Sequence, residues 1–254
     1  MTDVLVLCYH AVSERWPAAL SIAPSHLEEH VRMLADRGFR GVTFHEAVLR
    51  PPSAKTLAIT FDDAYRSVIE LAFPILSRVG FSATVFAPTD FVGIEEPMAW
   101  PGIDHWRETE YAEELMPMSW EELERLAQAG WEIGSHTRSH PRLPTVDDAA
   151  LENELQSSRQ DIERHLAGPC PSLAYPYGDH DARVVAAARR AGYESAGTLP
   201  ARLTRPADPL DWPRIVVTRA DNARRFRWKI SPLARKARAT PAWSVLHAAR
   251  RGRR

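Results

Sequence analysis

Two carboxylates side by side, Asp62 and Asp63, close the apolar run Thr56-Leu57-Ala58-Ile59-Thr60-Phe61. Neighbouring acids repel and resist desolvation unless a cation or partner compensates. The same pair is also at home on a solvated surface turn. Further along, His136 and His140 bracket Thr137-Arg138-Ser139 just after the apolar start Trp131-Glu132-Ile133. Histidines four apart can share one side of a helical turn, or of a loop curled round an ion. Imidazole nitrogen suits Zn, Ni, Co or Fe, and a nearby carboxylate completes a facial set with open positions. One Asp and two His would leave room for water and substrate and free the second Asp as a general base. An HxxxH spacing also arises with no ion at all.

Two further groups could serve such chemistry. Tyr175-Pro176-Tyr177-Gly178 joins a restricted residue to a permissive one. That suits either a backbone N–H aimed at a developing oxyanion or a plain turn. Asp211-Trp212-Pro213-Arg214 supplies a guanidinium that could hold a carboxylate ionised, or an ordinary surface charge.

The elements needed to position these groups can be read from hydrophobic period and punctuation. Val4–Cys8, Gly41–Phe44, Thr56–Phe61, Ser82–Phe86, Trp131–Ile133, Ser172–Tyr175 and Ile215–Val217 read as strands. Helices are expected from a Ser25/Glu28 capping box to about Arg37, over Tyr65–Val79, from a Ser119/Glu122 capping box to Gly130, over 147–167 and over 181–191. Strand-then-helix order implies parallel strands with helical crossovers, as an open sheet or a (β/α) barrel. The four candidate groups all fall at strand ends or just before a strand, where α/β folds collect their chemistry. The stretch of about 90–118 breaks the rhythm. It is rich in proline and acidic side chains and carries Trp100 and Trp106, as a binding loop or a loose surface insertion would.

Composition sets the frame. The chain has 254 residues with 32 Lys and Arg against 33 Asp and Glu, ample for one large core. The balance hides an asymmetry: residues 222–254 hold eleven Lys and Arg and no acid, against 21 basic and 33 acidic residues before them. We therefore expect one α/β domain over 1–221, carrying the insertion of about 90–118, and a basic extension over 222–254. Within the extension, Arg224-Arg225-Phe226-Arg227-Trp228-Lys229 suits anionic lipid headgroups, or a solvated helix packed on the acidic body. No specific nucleic-acid partner is expected. Two cysteines exclude a disulfide framework, and no basic leader or long apolar span is visible. The expectation is a cytoplasmic protein, peripheral at most to the inner face of the membrane.

Thr60-Phe61-Asp62-Asp63-Ala64, Ser135-His136-Thr137-Arg138-Ser139-His140 and Ala174-Tyr175-Pro176-Tyr177-Gly178 resemble, in order, the first three motifs of the polysaccharide deacetylases, carbohydrate esterase family 4 with the NodB homology domain. Asp211-Trp212-Pro213-Arg214 resembles the fourth, and Leu7-Cys8-Tyr9-His10 a tyrosine-histidine strand common in the family. The resemblance implies an α/β fold, a distorted (β/α)7 barrel, and a metal-dependent hydrolase that removes N-acetyl groups from an amino sugar. It implies Asp62 as catalytic base, Asp63, His136 and His140 as ligands of Zn2+ (or Co2+ or Ni2+), Tyr177 as oxyanion donor and Arg214 as tether of Asp62. His10, Tyr177, Trp100 and Trp106 are the expected substrate contacts. An N-acetylated amino sugar, in a glycan or in a nucleotide- or lipid-linked precursor, is the expected partner. Hydrolysis of another C–N bond such as a formamide, or glycan binding without catalysis, stays open. Two departures stand out: Ala64 replaces the family's usual Gly, and no late Leu-x-His supplies a general acid. His10, His105, His180 or a water on the metal could take that part.

Overall fold

Alternate residues of the strands enter two different cores, and that alternation builds a barrel. A computed structural model describes residues 3–51, 55–200, 203–204 and 208–240. The chain runs β1 (Asp3–Tyr9), β2 (Ala11–Val12), β3 (Ser21–Ile22), α1 (Pro24–Asp36), β4 (Arg40–Val42), α2 (Phe44–Leu49), β5 (Lys55–Asp62), α3 (Phe73–Ser77), β6 (Thr84–Ala87) and α4 (Trp120–Gln128). It continues through β7 (Glu132–Ser135), α5 (Asp148–Leu166), β8 (Ser172–Ala174), α6 (Ala182–Arg190), β9 (Ser195–Thr198), β10 (Trp212–Pro213), β11 (Ile215–Val216), α7 (Ala223–Lys229) and α8 (Pro232–Arg238).

Leu5, Leu7 and Tyr9 of β1, and Leu57, Ile59 and Phe61 of β5, pack outward into the large core beneath the helices. Val6, Ala58, Phe86 and Ala174 point the other way into a smaller interior cluster with Phe44, Ala47 and Val48 of α2. Side chains two apart share a face of a strand, so this interior row leads straight on to Cys8, Thr60 and Asp62. The helix α2 plugs the end where the strands begin: the Phe44 N–H donates to Thr84 Oγ1 at 2.8 Å and the His45 N–H to Glu132 Oε2 at 3.0 Å.

Strands β1, β5, β6, β7, β8 and β9 pair in parallel in that order. The segment Trp212–Val216 closes the ring. Trp212 and Pro213 pair with Gly197 and Thr198 of β9, while Ile215 and Val216 pair with Leu7 and Cys8 of β1. The expected (β/α)7 barrel is therefore present, and its distortion has a definite source. β5 is forked: β4 lies along Thr56–Ala58 and β6 along Thr60–Asp62 of the same edge.

Several elements differ from expectation. α1 starts at Pro24, and no side chain caps it, so the Ser25/Glu28 capping box does not form. Proline at the first position has no N–H to cap and its φ is already helical. The second strand stops at Val42; Thr43 Oγ1 instead accepts the Glu46 N–H and opens α2 at Phe44. The expected Tyr65–Val79 helix begins as a wide π turn over Val68–Ala72 before α3. Pro74 lacks the donor for the carbonyl of Glu70 and its ring crowds that carbonyl, which accounts for the widening. The Ser119/Glu122 capping box forms with both of its hydrogen bonds.

The basic segment begins as a further outer helix, α7. Phe226 of α7 is fully buried and stacks on His30 of α1 with centroids 3.7 Å apart. Tyr9 Oη and His30 Nδ1 lie 3.1 Å apart beneath it. Residues 241–254 of the expected extension lie outside the described residues. No helix among the described residues is long and apolar enough to cross a membrane.

Candidate active site

The interior row of β5 ends in a carboxylate that cannot stay uncompensated. Asp62 is buried, and Arg214, buried beside it, meets it with both guanidinium arms: Nη1 donates to Oδ1 at 2.6 Å and Nη2 to Oδ2 at 2.8 Å. Arg214 Nη1 also donates to Thr60 Oγ1 at 3.0 Å, and the Cys8 thiol donates to Asp62 Oδ2 at 3.4 Å. Burial alone would raise the Asp62 pKa, but the Arg214 charge dominates with His136 and holds the carboxyl well below the usual range. Room for the guanidinium comes from Gly197 on β9, where a Cβ would stand 2.5 Å from Arg214 Nε. Gly134 on β7 yields in the same way to the ring of Phe86.

The next residue leaves the strand abruptly. Asp63 and Ala64 adopt φ of 71° and 53°, which turns the Asp63 side chain toward the end of β7. There Asp63 Oδ1 lies 3.4 Å from His136 Nε2 and 3.4 Å from His140 Nε2, all three side chains being buried. His136 Nδ1 sits 2.7 Å from the Ala174 carbonyl oxygen. An N–H donated there leaves the Nε2 lone pair facing Asp63. Asp63 Oδ1 has no hydrogen-bond partner despite its burial. A buried carboxylate oxygen left orphaned beside two imidazole nitrogens is a donor set that fits a divalent cation. Burial pushes His140 down to about 3. For His136 burial acts the same way but is outweighed by Asp63 and Asp62, which raise it. Burial opposes ionisation of Asp63, yet His136 and His140 hold its pKa low.

Backbone strain is concentrated at this spot. Of six described non-glycine residues with positive φ, five are Asp63, Ala64, Thr137, His140 and Tyr177; the sixth, Ala167, only terminates α5. Left-handed backbone costs about 1–2 kcal/mol for each such residue and persists where surrounding contacts over-determine it.

The insertion over 90–118 is a packed cover rather than a loose loop. Met98, Ile103, Leu115 and Met118 are buried, and the Met118 N–H donates to the Ala64 carbonyl at 2.9 Å. Trp100 is 7% exposed and stacks on His140 at 4.3 Å, so it backs the metal-type cluster and leaves little ring for a sugar. Trp106 packs edge-on against Trp16 and Tyr111, and His105 is its other ring neighbour. Tyr177 is half-buried, meets His140 edge-on at 4.8 Å, and donates from Oη to the Pro101 carbonyl at 3.2 Å. The Arg142 guanidinium lies 4.0 Å over the Tyr177 ring.

Of the three histidines considered as acids, His10 is buried and groups with Cys8 and Asp62, their polar atoms within 4.8 Å of one another. His180 turns away to stack on Tyr175 and pair with Asp211 at 3.1 Å. His105 sits in the outer cover beside Asp104, largely exposed. Sequence reasoning missed Cys8, Thr60 and Arg142. The first two share a period of two with Val6 and Asp62, and that signal could have found them.

A family model for polysaccharide deacetylases matches residues 49–196, more than half of the chain. The chain belongs to the polysaccharide deacetylase family. Among its relatives is YxkH of Bacillus subtilis (strain 168), itself assigned to the polysaccharide deacetylases. It is 27% identical over 198 residues, which cover 76% of this chain and 63% of YxkH. The poly-β-1,6-N-acetyl-D-glucosamine N-deacetylase of Staphylococcus aureus (strain MSSA476) is 23% identical over 212 residues, 78% of this chain and 68% of that one. The chain thus spans less than two thirds of YxkH. Two solved structures share the fold of this family member. The Streptococcus pyogenes deacetylase PplD in complex with acetate has a TM-score of 0.75 at 20% identity, covering 90% of this chain and 98% of that one. IcaB from Ammonifex degensii has a TM-score of 0.71 at 23% identity, covering 91% and 98%.

Proposed function

We propose that this chain is a metal-dependent N-deacetylase of amino sugars, with Asp63, His136 and His140 holding the ion and Asp62 acting as base. The observation that carries the reading is the adjacency of two differently managed carboxylates. Asp62 is saturated by Arg214, while Asp63 presents an orphaned oxygen to two imidazoles. Two imidazoles and one carboxylate suit Zn2+, and Co2+ and Ni2+ accept the same donors. A bound divalent ion would polarise the amide carbonyl and make water more acidic.

Every other step belongs to the chain's own groups. Arg214 keeps Asp62 ionised and fixed in direction, so Asp62 accepts the proton as water attacks the acetyl carbon. The Tyr177 backbone N–H stabilises the oxyanion of the tetrahedral intermediate. His10, buried and within reach of Asp62, donates a proton to the leaving nitrogen as the C–N bond breaks. Acetate and a free amino sugar result. No serine or cysteine nucleophile is needed; the buried Cys8 thiol is held protonated, since burial raises its pKa.

The S. aureus relative's name supports a β-1,6-linked N-acetylglucosamine chain, or a precursor of one, as substrate class. The exposed Trp228, 57% accessible among the exposed Arg224, Arg225 and Arg227, supports an anionic membrane surface as a further partner. Sedimentation with anionic and neutral vesicles tests the latter, and equal recovery with both would remove it.

The enzymatic reading is tested by metal analysis of the full chain together with acetate release from β-1,6-linked N-acetylglucosamine oligomers and formate release from their N-formyl analogues. Asp63→Ala and His136→Ala should lose metal and turnover together. Turnover that survives either change would sink the assignment, and a formate-only enzyme would move the reading to formamide hydrolysis.

A further inference from the structure

The loop that carries both histidines has no regular secondary structure, yet every backbone N–H from His136 to His140 has an acceptor. The His136 N–H donates to the Ala87 carbonyl at 2.9 Å, continuing the β6–β7 ladder. The Thr137 N–H donates to Ser135 Oγ at 3.0 Å and the His140 N–H to Thr137 Oγ1 at 3.2 Å. The two N–H groups between them, those of Arg138 and Ser139, go to one side chain outside the loop. Glu154 Oε2 accepts from Arg138 N at 2.8 Å and from Ser139 N at 2.9 Å, and its Oε1 accepts from Ser139 Oγ at 2.5 Å.

Glu154 stands on α5 and is 8% exposed. One turn along the same helix, Ser158 Oγ lies 2.8 Å from Ser135 Oγ, the atom that accepts from Thr137. Residues i and i+4 of α5 thus grip the loop at two successive points. Opposite, the Thr137 and Arg138 carbonyls accept from Thr89 N at 3.2 Å and Asp90 N at 3.0 Å. Thr137 and His140 both hold positive φ, at 66° and 61°. These two bends turn both imidazoles toward Asp63, and a free loop would relax out of them.

A buried carboxylate would not be spent on two backbone amides of a surface turn without reason, because its desolvation must be matched by strong hydrogen bonds. We infer that Glu154 is a positioning residue for the metal site: its carboxylate fixes the strained Thr137–His140 backbone so that His136 and His140 are aligned before any ion arrives. This inference rests on the proposed metal role of Asp63, His136 and His140. Glu154 itself touches neither ion nor substrate.

The test measures Zn2+ affinity of the full chain by competition with a chromophoric chelator, for the wild type and three variants. Loss of a group that orients metal ligands costs about 10- to 100-fold in affinity, and Glu154→Ala should fall in that range. Glu154→Gln keeps one carbonyl oxygen for the two amides and should recover most of the affinity, which also covers the case in which the alanine variant folds poorly. Glu152→Ala, an exposed position on the same helix that pairs with Arg190 at 3.5 Å, should bind Zn2+ as the wild type does. Amide exchange in the metal-free proteins supplies a second readout: Arg138 and Ser139 should exchange faster in Glu154→Ala than in wild type. Wild-type binding with an unchanged affinity in Glu154→Ala overturns the inference alone. A wild type that binds no Zn2+ overturns the metal reading, and this inference with it.

Discussion

Replacing Arg214 by Met removes both guanidinium hydrogen bonds to the Asp62 carboxylate, leaving only the Cys8 thiol as donor among the described residues, while keeping most of the side-chain volume in place. Two charged hydrogen bonds, at 2.6 and 2.8 Å, vanish from a fully buried position. Breaking one side of a buried pair costs about 3–5 kcal/mol near neutral pH, because the remaining charge is stranded. The pH dependence then reverses in sign. In the wild type the folded-state Asp62 pKa lies below its ordinary value of about 3.9, so the stabilisation is present above that pH and is lost as pH falls through the lower folded value. In Arg214→Met burial, the largest single influence on Asp62, is opposed mainly by His136, and the folded pKa rises. The Asp62 contribution is then most favourable below about pH 3.9 and is lost as pH rises through the new value. Denaturant midpoints of metal-free protein at about pH 5 and about pH 7 should therefore show a mutational penalty that grows with pH. Arg214→Lys keeps the charge but not the two-armed geometry, and should recover stability more than turnover. A penalty below about 1 kcal/mol at neutral pH, or one that shrinks as pH rises, would refute the reasoning.

Other perturbations follow from the same geometry. Gly197→Ala places a methyl 2.5 Å from Arg214 Nε, so it should cost about 1–3 kcal/mol and depress acetate release without changing any ionisable group. Its effect is read by thermal melting and turnover together. Ala64→Gly relieves a left-handed residue at φ 53° and should stabilise by up to about 1 kcal/mol, seen as a rise in Tm with turnover kept. Burial lowers the His30 pKa to about 4, so the unfolded chain takes up a proton there first as pH falls. His30 should therefore remove about 2 kcal/mol of stability between about pH 7 and about pH 5, and His30→Gln should abolish that part of the slope. Zn2+ at about 100 times its dissociation constant should add about 2.7 kcal/mol to stability, and a chelator should withdraw it.

The place of the candidate site in this barrel was largely legible because strand ends announce themselves. An apolar run with period two that stops at Asp62-Asp63 or at Ser135-His136 marks both the direction of the side chains and the point where the ladder ends. The same period would have exposed Cys8 and Thr60 as lining of the Asp62 pocket. What was not legible depends on partners distant in sequence. Closure of the ring uses two residues against β9 and two against β1, with Arg214 between them, too short a run to show a period. Glu154 reads as one more polar residue in a helix until the fold brings the histidine loop over it. Trp100 and Trp106 have the composition of a sugar platform, but the buried methionines and leucine of the insertion draw them into packing. Local signals erred where proline intervened: Pro24 makes a cap at Ser25 unnecessary, and Pro74 widens a turn that periodicity alone reads as regular.

The central claim is that Asp62 and Asp63, adjacent in sequence, divide the work between proton transfer and ion binding. Asp62→Asn tests that division in one preparation, with bound Zn2+ and acetate release measured on the same sample. The account predicts bound metal equal to the wild type and turnover reduced by about 100- to 10,000-fold, the usual worth of a general base. Near-normal acetate release from Asp62→Asn, or loss of its metal, would contradict it.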